Sequence, residues 1–346
     1  MALYHLNSKT IQQNFEYQKF GLSPRLSYFK PHAEKAEKSF AEEISYSLTQ
    51  DTKFISPKFF YDQKGSELFE DICKLPEYYL TRTERKLLEL LKTELHKHID
   101  SDYRLVELGS GSSAKTRLIL DALGKTHEEI EYFPIDISEI LKDGAQSLLD
   151  DYKSLKITGI IDTYEHGLQF LKKYDDTPNL IAFLGSSFGN FCPEEGKEFL
   201  KFVNSTMKEN DLFLIGLDLV KDKKILEDAY NDSQGITAKF NLNVLSRINN
   251  ELDGNFDLDN FSHHSLFNED KQRIEMYIRS HKKQSVHISK ADLKLELEED
   301  ELIHTEHSHK YTISTIEKTL EETGFEINRI WQDENRHFAL VLASKN

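Results

Sequence analysis

Between residues 104 and 217 the chain alternates short apolar runs with amphipathic segments, and this rhythm restricts the fold more than any other feature. Arg104-Leu-Val-Glu-Leu108, Tyr132-Phe-Pro-Ile-Asp136, Lys156-Ile-Thr-Gly-Ile-Ile161, Asn179-Leu-Ile-Ala-Phe-Leu184 and Asp211-Leu-Phe-Leu-Ile-Gly-Leu217 read as strands. A strand that is apolar on both faces has to be covered on both faces. The intervening segments 114–123, 138–149, 168–174 and 193–205 carry the helical spacing that supplies the cover. Ser138 is positioned to cap the second of these. The expectation is an α/β fold on a parallel sheet.

Upstream, 83–96 is an amphipathic helix on Leu87, Leu88, Leu91 and Leu95, and a shorter helix follows Ser66 as its cap. Residues 1–45 are polar and mixed and give no assignable element. After residue 220 the rhythm changes. Residues 222–252 are helical in pattern, and 262–308 alternate strands with turns. A helix over 313–322 then stops at Gly324, a residue suited to a C-terminal cap. Two strands, 326–332 and 337–343, close the chain around Asp333-Glu-Asn-Arg336, which predicts an antiparallel hairpin.

The formal charge is −16, from 60 acidic and 44 basic residues. Such a surface repels phosphate backbones, so nucleic acid is not an expected partner. Cys73 and Cys192 are expected as free thiols, and no Cys-x-x-Cys or Cys/His zinc spacing is present. The first twenty residues lack the apolar core of a signal peptide, and no run of about 18 apolar residues exists to span a membrane. A cytoplasmic protein is expected, and nothing in the sequence demands more than a monomer.

The loop Gly109-Ser-Gly111-Ser-Ser-Ala-Lys115-Thr follows the first strand and opens a helix. Glycines there let a ligand approach the backbone at a strand end, where open α/β sheets bind ligands. Asp136, 25 positions after Gly111, ends the next strand and can accept from both hydroxyls of a ribose. A phosphate-binding P-loop needs glycine directly before Lys-Thr, where this chain has Ala114. Ala114 also stands at the third dinucleotide glycine; an alanine variant of that motif exists, so a dinucleotide stays open. A mostly parallel sheet ending in a hairpin is the pattern of class I methyltransferases, and it favours S-adenosylmethionine (SAM).

Several longer motifs converge on one family. They include Ser56-Pro-Lys-Phe-Phe-Tyr-Asp-Gln-Lys-Gly-Ser-Glu-Leu-Phe69, Leu75-Pro-Glu-Tyr-Tyr-Leu-Thr-Arg-Thr-Glu84 and Val106-Glu-Leu-Gly-Ser-Gly-Ser-Ser-Ala-Lys-Thr116. Phe183-Leu-Gly-Ser-Ser-Phe-Gly-Asn190, Gly216-Leu-Asp-Leu-Val-Lys-Asp222, Ala229-Tyr-Asn-Asp232 and Thr305-Glu-His-Ser-His-Lys-Tyr311 follow in order. On these stretches the chain resembles the histidine Nα-methyltransferases of ergothioneine biosynthesis, which convert histidine to its trimethylated betaine, hercynine. Leu80 departs from a usual proline and Phe188 from a usual aliphatic residue.

The resemblance implies a class I methyltransferase (Rossmann-like) sheet with a second α+β substrate-binding domain inserted before the last strands. The implied division is 1–78 and 220–308 for the substrate-binding domain, with 79–219 and 309–346 for the methyltransferase domain. It implies SAM on Gly109, Gly111, Lys115, Asp136 and Asp162, the last in a loosely matching segment. It implies L-histidine on Tyr78, Asn190, Tyr230, Met276, Glu306 and Ser308. Tyr61, Asn190 and Tyr230 are the implied catalytic residues.

The chemistry asks for such a set. Methyl transfer from a sulfonium is an in-line displacement, so positioning a neutral amine carries much of the rate. Aromatic faces suit the quaternary ammonium that results. Glu306 and Ser308, two apart on an expected strand, share a face, so a carboxylate and a hydroxyl can serve the two nitrogens of an imidazole. A tryptophan-like substrate, the alternative, offers only one polar hydrogen. On a strand His307 and His309 share one face and His304 points the other way, so surface histidines are expected. No metal is expected there. A non-catalytic cofactor-binding protein is the alternative of a different class, and the retained glycine loop, Asp136, Asn190 and Tyr230 weigh against it.

Overall fold

The computed structural model describes residues 17–32, 39–99, 103–109, 113–137 and 141–346. Gly111 and Ser138 lie outside the described residues. The chain opens with β1 (Tyr17–Ser23), β2 (Leu26–Pro31), α1 (Phe40–Leu48), α2 (Gln63–Ile72) and α3 (Tyr79–Glu94). The alternating region supplies β3 (Arg104–Leu108), α4 (Ala114–Leu123), β4 (Ile130–Asp136), α5 (Leu141–Asp151), β5 (Leu155–Ile161) and α6 (Tyr164–Tyr174). It continues through β6 (Asn179–Phe183), α7 (Pro193–Thr206) and β7 (Leu212–Asp218). The next stretch holds α8 (Lys223–Tyr230), α9 (Ile236–Leu252), β8 (Phe261–Asn268), β9 (Arg273–Ser280), β10 (Gln284–Ile288), β11 (Leu293–Leu297) and β12 (Leu302–His309). The chain ends with α10 (Ile313–Glu322), β13 (Phe325–Gln332) and β14 (Phe338–Lys345).

Among the described residues the main sheet runs β1-β2-β5-β4-β3-β6-β7-β14-β13. Strands β2 to β7 pair in parallel, and the terminal hairpin adds antiparallel to β7. Neighbouring residues feed opposite cores. Leu105, Leu180, Leu214 and Leu340 pack with Leu88, Ile119 and Leu148 of α3, α4 and α5. Val106, Ile181, Phe213 and Val341 pack with Leu168, Phe199 and Ile316 of α6, α7 and α10. Each such side chain gains roughly 1.5–3 kcal/mol from burial. That is why these strands are apolar without alternation, and the class I methyltransferase architecture read from them is present.

A third core joins Ile44, Leu48, Phe60 and Ile72 to Phe240, Val244, Ile248, Val286, Leu295 and Ile303. Segments on either side of the main sheet in sequence thus share one interior. The antiparallel sheet β12-β9-β8 lies in this part of the molecule, with the separate hairpin β10-β11.

Three expectations need correction. Residues 17–31, placed with the second domain, instead form a hairpin that pairs with β5 and extends the main sheet. Helix α2 begins at Gln63, capped by Asp62, which accepts from the Gly65 N–H at 2.6 Å. Ser66 lies inside that helix: Asp62 is the nearer acceptor for the orphan N–H groups of the first turn. Helix α3 starts at Tyr79, four residues before the expected point. Gly324, at φ +87°, does follow α10 as expected. No helix among the described residues is long and apolar enough to cross a membrane.

Candidate active site

The parallel strands β3, β4 and β5 end side by side. The Gly109 N–H donates to the Ile135 carbonyl at 3.1 Å, and the Asp162 N–H to the Asp136 carbonyl at 3.1 Å. The structure therefore brings together Gly109, Asp136 and Asp162, three of the expected cofactor positions. Gly109 has φ +77°, and a Cβ there would sit 2.7 Å from the Tyr164 hydroxyl. Only glycine suits that turn, and it leaves backbone open to an approaching ligand. Lys115, in the first turn of α4, pairs with the buried Glu84 carboxylate at 2.7 Å. The other Glu84 oxygen accepts from the Gly185 N–H at 2.7 Å, which ties α3 and α4 to the loop after β6. Glu107 is buried, and burial pushes its carboxyl up to about 7 against hydrogen bonds from Tyr132 and Thr116.

Asp162 is held from several sides. It accepts from the Tyr17 hydroxyl at 2.7 Å and the Thr163 N–H at 2.7 Å, and it contacts His166 Nδ1 at 2.9 Å. Burial would raise its carboxyl, but the His166 and Tyr17 bonds outweigh it and hold the group below the usual range. The hairpin at the sheet edge thus reaches a strand-end acid.

The aromatic candidates gather on the other side. Tyr61 meets Phe69 and Phe240 with ring centroids 5.7 Å apart in each case, and Tyr78 meets Tyr230 at 6.2 Å. Burial raises the phenols of Tyr61, Tyr78 and Tyr230, with the Glu306 charge adding to the shift, so all three stay protonated at neutral pH. Cys73 bears electrostatically on Tyr61 and Tyr78 and is itself within reach of Lys115, which links the two groups of residues.

Glu306 and Ser308 lie on β12, and Glu306 stands across from Met276 on β9. The Glu306 side chain makes no hydrogen bond or ion pair among the described residues, while burial pushes its carboxyl up to about 7 against the pull of Lys310. Ser308 accepts from the Tyr230 hydroxyl at 3.0 Å and from Lys310 at 2.9 Å. Asn190 ends a short 3-10 turn after β6, half-buried. That turn packs against β12 through Gly189, where a Cβ would sit 2.8 Å from the His309 carbonyl oxygen.

Four charged or phenolic residues in this region were absent from the candidates. Asp218, at the end of β7, is fully buried. It pairs with Lys310 at 2.8 Å and Lys221 at 2.6 Å and accepts from the Tyr79 hydroxyl at 2.7 Å. Burial would raise the Asp218 carboxyl, but the two ammonium groups hold it below the usual range. Burial brings Lys221 down to about 8 against that attraction. Lys310 is instead held above its usual value, because Asp218 and Tyr230 outweigh its burial. A signal was present in sequence: one carboxylate closes an otherwise apolar strand, and a lysine follows three residues later.

The histidine row differs from expectation. A bulge between His304 and Glu306 breaks the alternation of β12. His304 therefore stacks on His307 at 5.5 Å, and His307 meets His309 at 5.3 Å, all on one side. Among the described residues no group of three or more His, Cys, Asp or Glu is disposed to hold a metal. Both cysteines are free; Cys192 lies 3.7 Å from His307 Nε2.

A parallel sheet with an antiparallel terminal hairpin, a glycine turn and strand-end acids define a SAM-dependent methyltransferase. The chain belongs to the family of histidine-specific, SAM-dependent methyltransferases, whose profile matches residues 40–345. It is 38% identical over 302 residues to the histidine N-alpha-methyltransferase of Mycobacterium tuberculosis, covering 87% of this chain and 93% of the relative. It is 36% identical over 312 residues to the enzyme of that name from Mycolicibacterium smegmatis, covering 90% and 96%. An L-tryptophan methyltransferase of Psilocybe serbica is 27% identical over 311 residues, covering 83% and 87%.

Proposed function

We propose that this enzyme transfers methyl groups from SAM to the α-amine of L-histidine, three in succession, to give hercynine. The observation that carries the reading is Glu306: a half-buried carboxylate with no hydrogen-bond or ion-pair partner among the described residues, two residues from Ser308 on one strand. A carboxylate drawn largely out of water without a donor is held at a cost, so a ligand that donates to it is favoured. The imidazole N–H of histidine fits, with the second ring nitrogen at Ser308.

In this reading Gly109, Gly111, Lys115, Asp136 and Asp162 form the cofactor side, Asp136 accepting from the ribose. SAM supplies an electrophilic methyl group on a sulfonium. Asn190 and Tyr230 hold the amino-acid backbone, and Met276 packs at the ring. Tyr61 and Tyr78, kept as neutral phenols, offer faces to the growing ammonium and lone pairs to its departing protons. With the interior shared by 44–75 and 240–303 as substrate domain, the site lies between that domain and the sheet. A cytoplasmic monomer acting on a small molecule is the matching setting.

The test is incubation with SAM and a panel of amino acids, read by mass spectrometry. Histidine gaining up to three methyl groups is expected. No methylation of any amine would sink the enzyme reading, and preference for tryptophan would replace histidine as the substrate.

A further inference from the structure

We infer that Lys310 is a positioning residue that turns the Ser308 hydroxyl into a fixed hydrogen-bond donor, so that the site selects a ring with an unprotonated nitrogen. The inference rests on the reading of Glu306 and Ser308 as the imidazole contacts.

Lys310 is fully buried, and its three ammonium protons are all used. They go to Asp218 Oδ2 at 2.8 Å, Ser308 Oγ at 2.9 Å and Tyr230 Oη at 3.2 Å. A serine hydroxyl has two lone pairs and one hydrogen. Lys310 takes one lone pair, and the Tyr230 hydroxyl, donating at 3.0 Å, takes the other. The Ser308 hydrogen is left over, and Ser308 makes no other side-chain bond among the described residues. It is therefore held ready for an acceptor on the substrate.

Glu306, on the same stretch of β12, presents the opposite polarity. An acceptor and a donor two residues apart match a neutral imidazole in one orientation, its N–H toward Glu306 and its bare nitrogen toward Ser308. An imidazolium has no bare nitrogen, and a thiophene or indole offers no ring acceptor, so each leaves the Ser308 O–H unpaired. Lys310 is itself fixed. Asp218 ends β7 of the cofactor sheet, donates its backbone N–H to the Ser186 hydroxyl oxygen at 2.9 Å, and is clamped by Lys221 and Tyr79. The donor in the substrate pocket is thus set by an ion pair rooted in the methyltransferase sheet. Without Lys310 a lone pair on Ser308 is released, and its hydroxyl is free to turn toward Tyr230.

The experiment is internal competition between L-histidine and β-(2-thienyl)-L-alanine, a ring of similar size with no nitrogen. Both products are read by mass spectrometry to give the ratio of kcat/KM values. Wild type, K310M, S308A and K310M/S308A are compared, with S-adenosylhomocysteine affinity measured by calorimetry. K310M should lower the ratio about tenfold, the worth of one such hydrogen bond. S308A should do the same, the double variant should lose no more than either single, and the affinity for S-adenosylhomocysteine should stay within about twofold, since neither Lys310 nor Ser308 is among the residues read as the cofactor side. A K310M enzyme slower on both substrates by the same factor would overturn the inference, as a merely structural role predicts that. So would losses that multiply in the double variant. If K310M does not fold, K310Q carries the test: its uncharged amide has two N–H donors for the three acceptors Asp218, Ser308 and Tyr230, so the ratio should fall, by less than in S308A, and an unchanged ratio overturns the inference. A wild type that leaves histidine unmethylated refutes the substrate reading instead, before Lys310 is reached.

Discussion

Replacing Glu306 with glutamine should make the ligand-free protein more stable at pH 8 and have a much smaller effect at pH 5. Burial moves this carboxyl from its ordinary 4.5 to about 7. A displacement of that size, at about 1.4 kcal/mol per pH unit, amounts to ~3 kcal/mol. Glu306 keeps partial exposure, which trims the figure to roughly 2–3 kcal/mol. The sign follows from linkage. An acid raised in the folded state binds more protons folded than unfolded, so stability is highest below the unfolded value and falls as pH rises through about 7. Glutamine removes that loss. Urea unfolding of wild type and E306Q at pH 5 and pH 8 reads the difference directly. Histidine added at pH 8 should stabilise the wild type and leave E306Q largely unaffected. Equal midpoints for the two proteins at pH 8, or a gain of the same size at pH 5, would refute the claim that Glu306 is an enclosed carboxylate awaiting a donor.

Asp136→Ala should weaken S-adenosylhomocysteine roughly 10–100-fold through loss of charge-assisted bonds to the ribose; calorimetry showing unaltered affinity would remove Asp136 from the cofactor site. Gly189→Ala places a Cβ 2.8 Å from the His309 carbonyl and 3.4 Å from Ser308 Oγ, so the 3-10 turn has to shift. A stability loss of about 1–3 kcal/mol with weaker histidine binding is expected, and a variant matching wild type in both would show the turn is free to move. Glu84→Gln strips Lys115 of its buried counter-charge and should cost about 1–3 kcal/mol, discounted for the exposed lysine; an unchanged thermal midpoint would mean that solvent already screens the pair.

The covered sheet was legible because strands buried on both faces are apolar throughout, as β7 shows from Leu212 to Leu217. The hairpin at Tyr17–Pro31 was not. Its outer strand is mostly exposed, so no burial pattern marks YQKFGLS, and its pairing depends on the β5 edge, which no local signal announces. On the substrate side the two-residue spacing of Glu306 and Ser308 was enough to place both on one strand. The position of His304 was not, because the bulge that turns it is invisible to a rule of strict alternation. Lys310 stood in a quoted motif without a role. Its partners Asp218, Ser308 and Tyr230 come from distant parts of the chain, and a three-way contact of that kind exists only after folding.

The bulge in β12 also sets how finely this pocket is tuned in length. In the proposed reading the strand offers the substrate Glu306 and Ser308 on its C-terminal side, and on its other face it carries His304, His307 and His309. Successive residues of a strand face opposite ways, so deleting Thr305 would shift one arm of the strand against its neighbours by one position and bring side chains of the wrong face toward the ring. A one-codon loss at Thr305 would therefore do what no single substitution does. It would exchange the lining of that face while leaving the strands that carry Gly109, Asp136 and Asp162 in place, and it would pull Lys310 out of register with Asp218 at the end of β7.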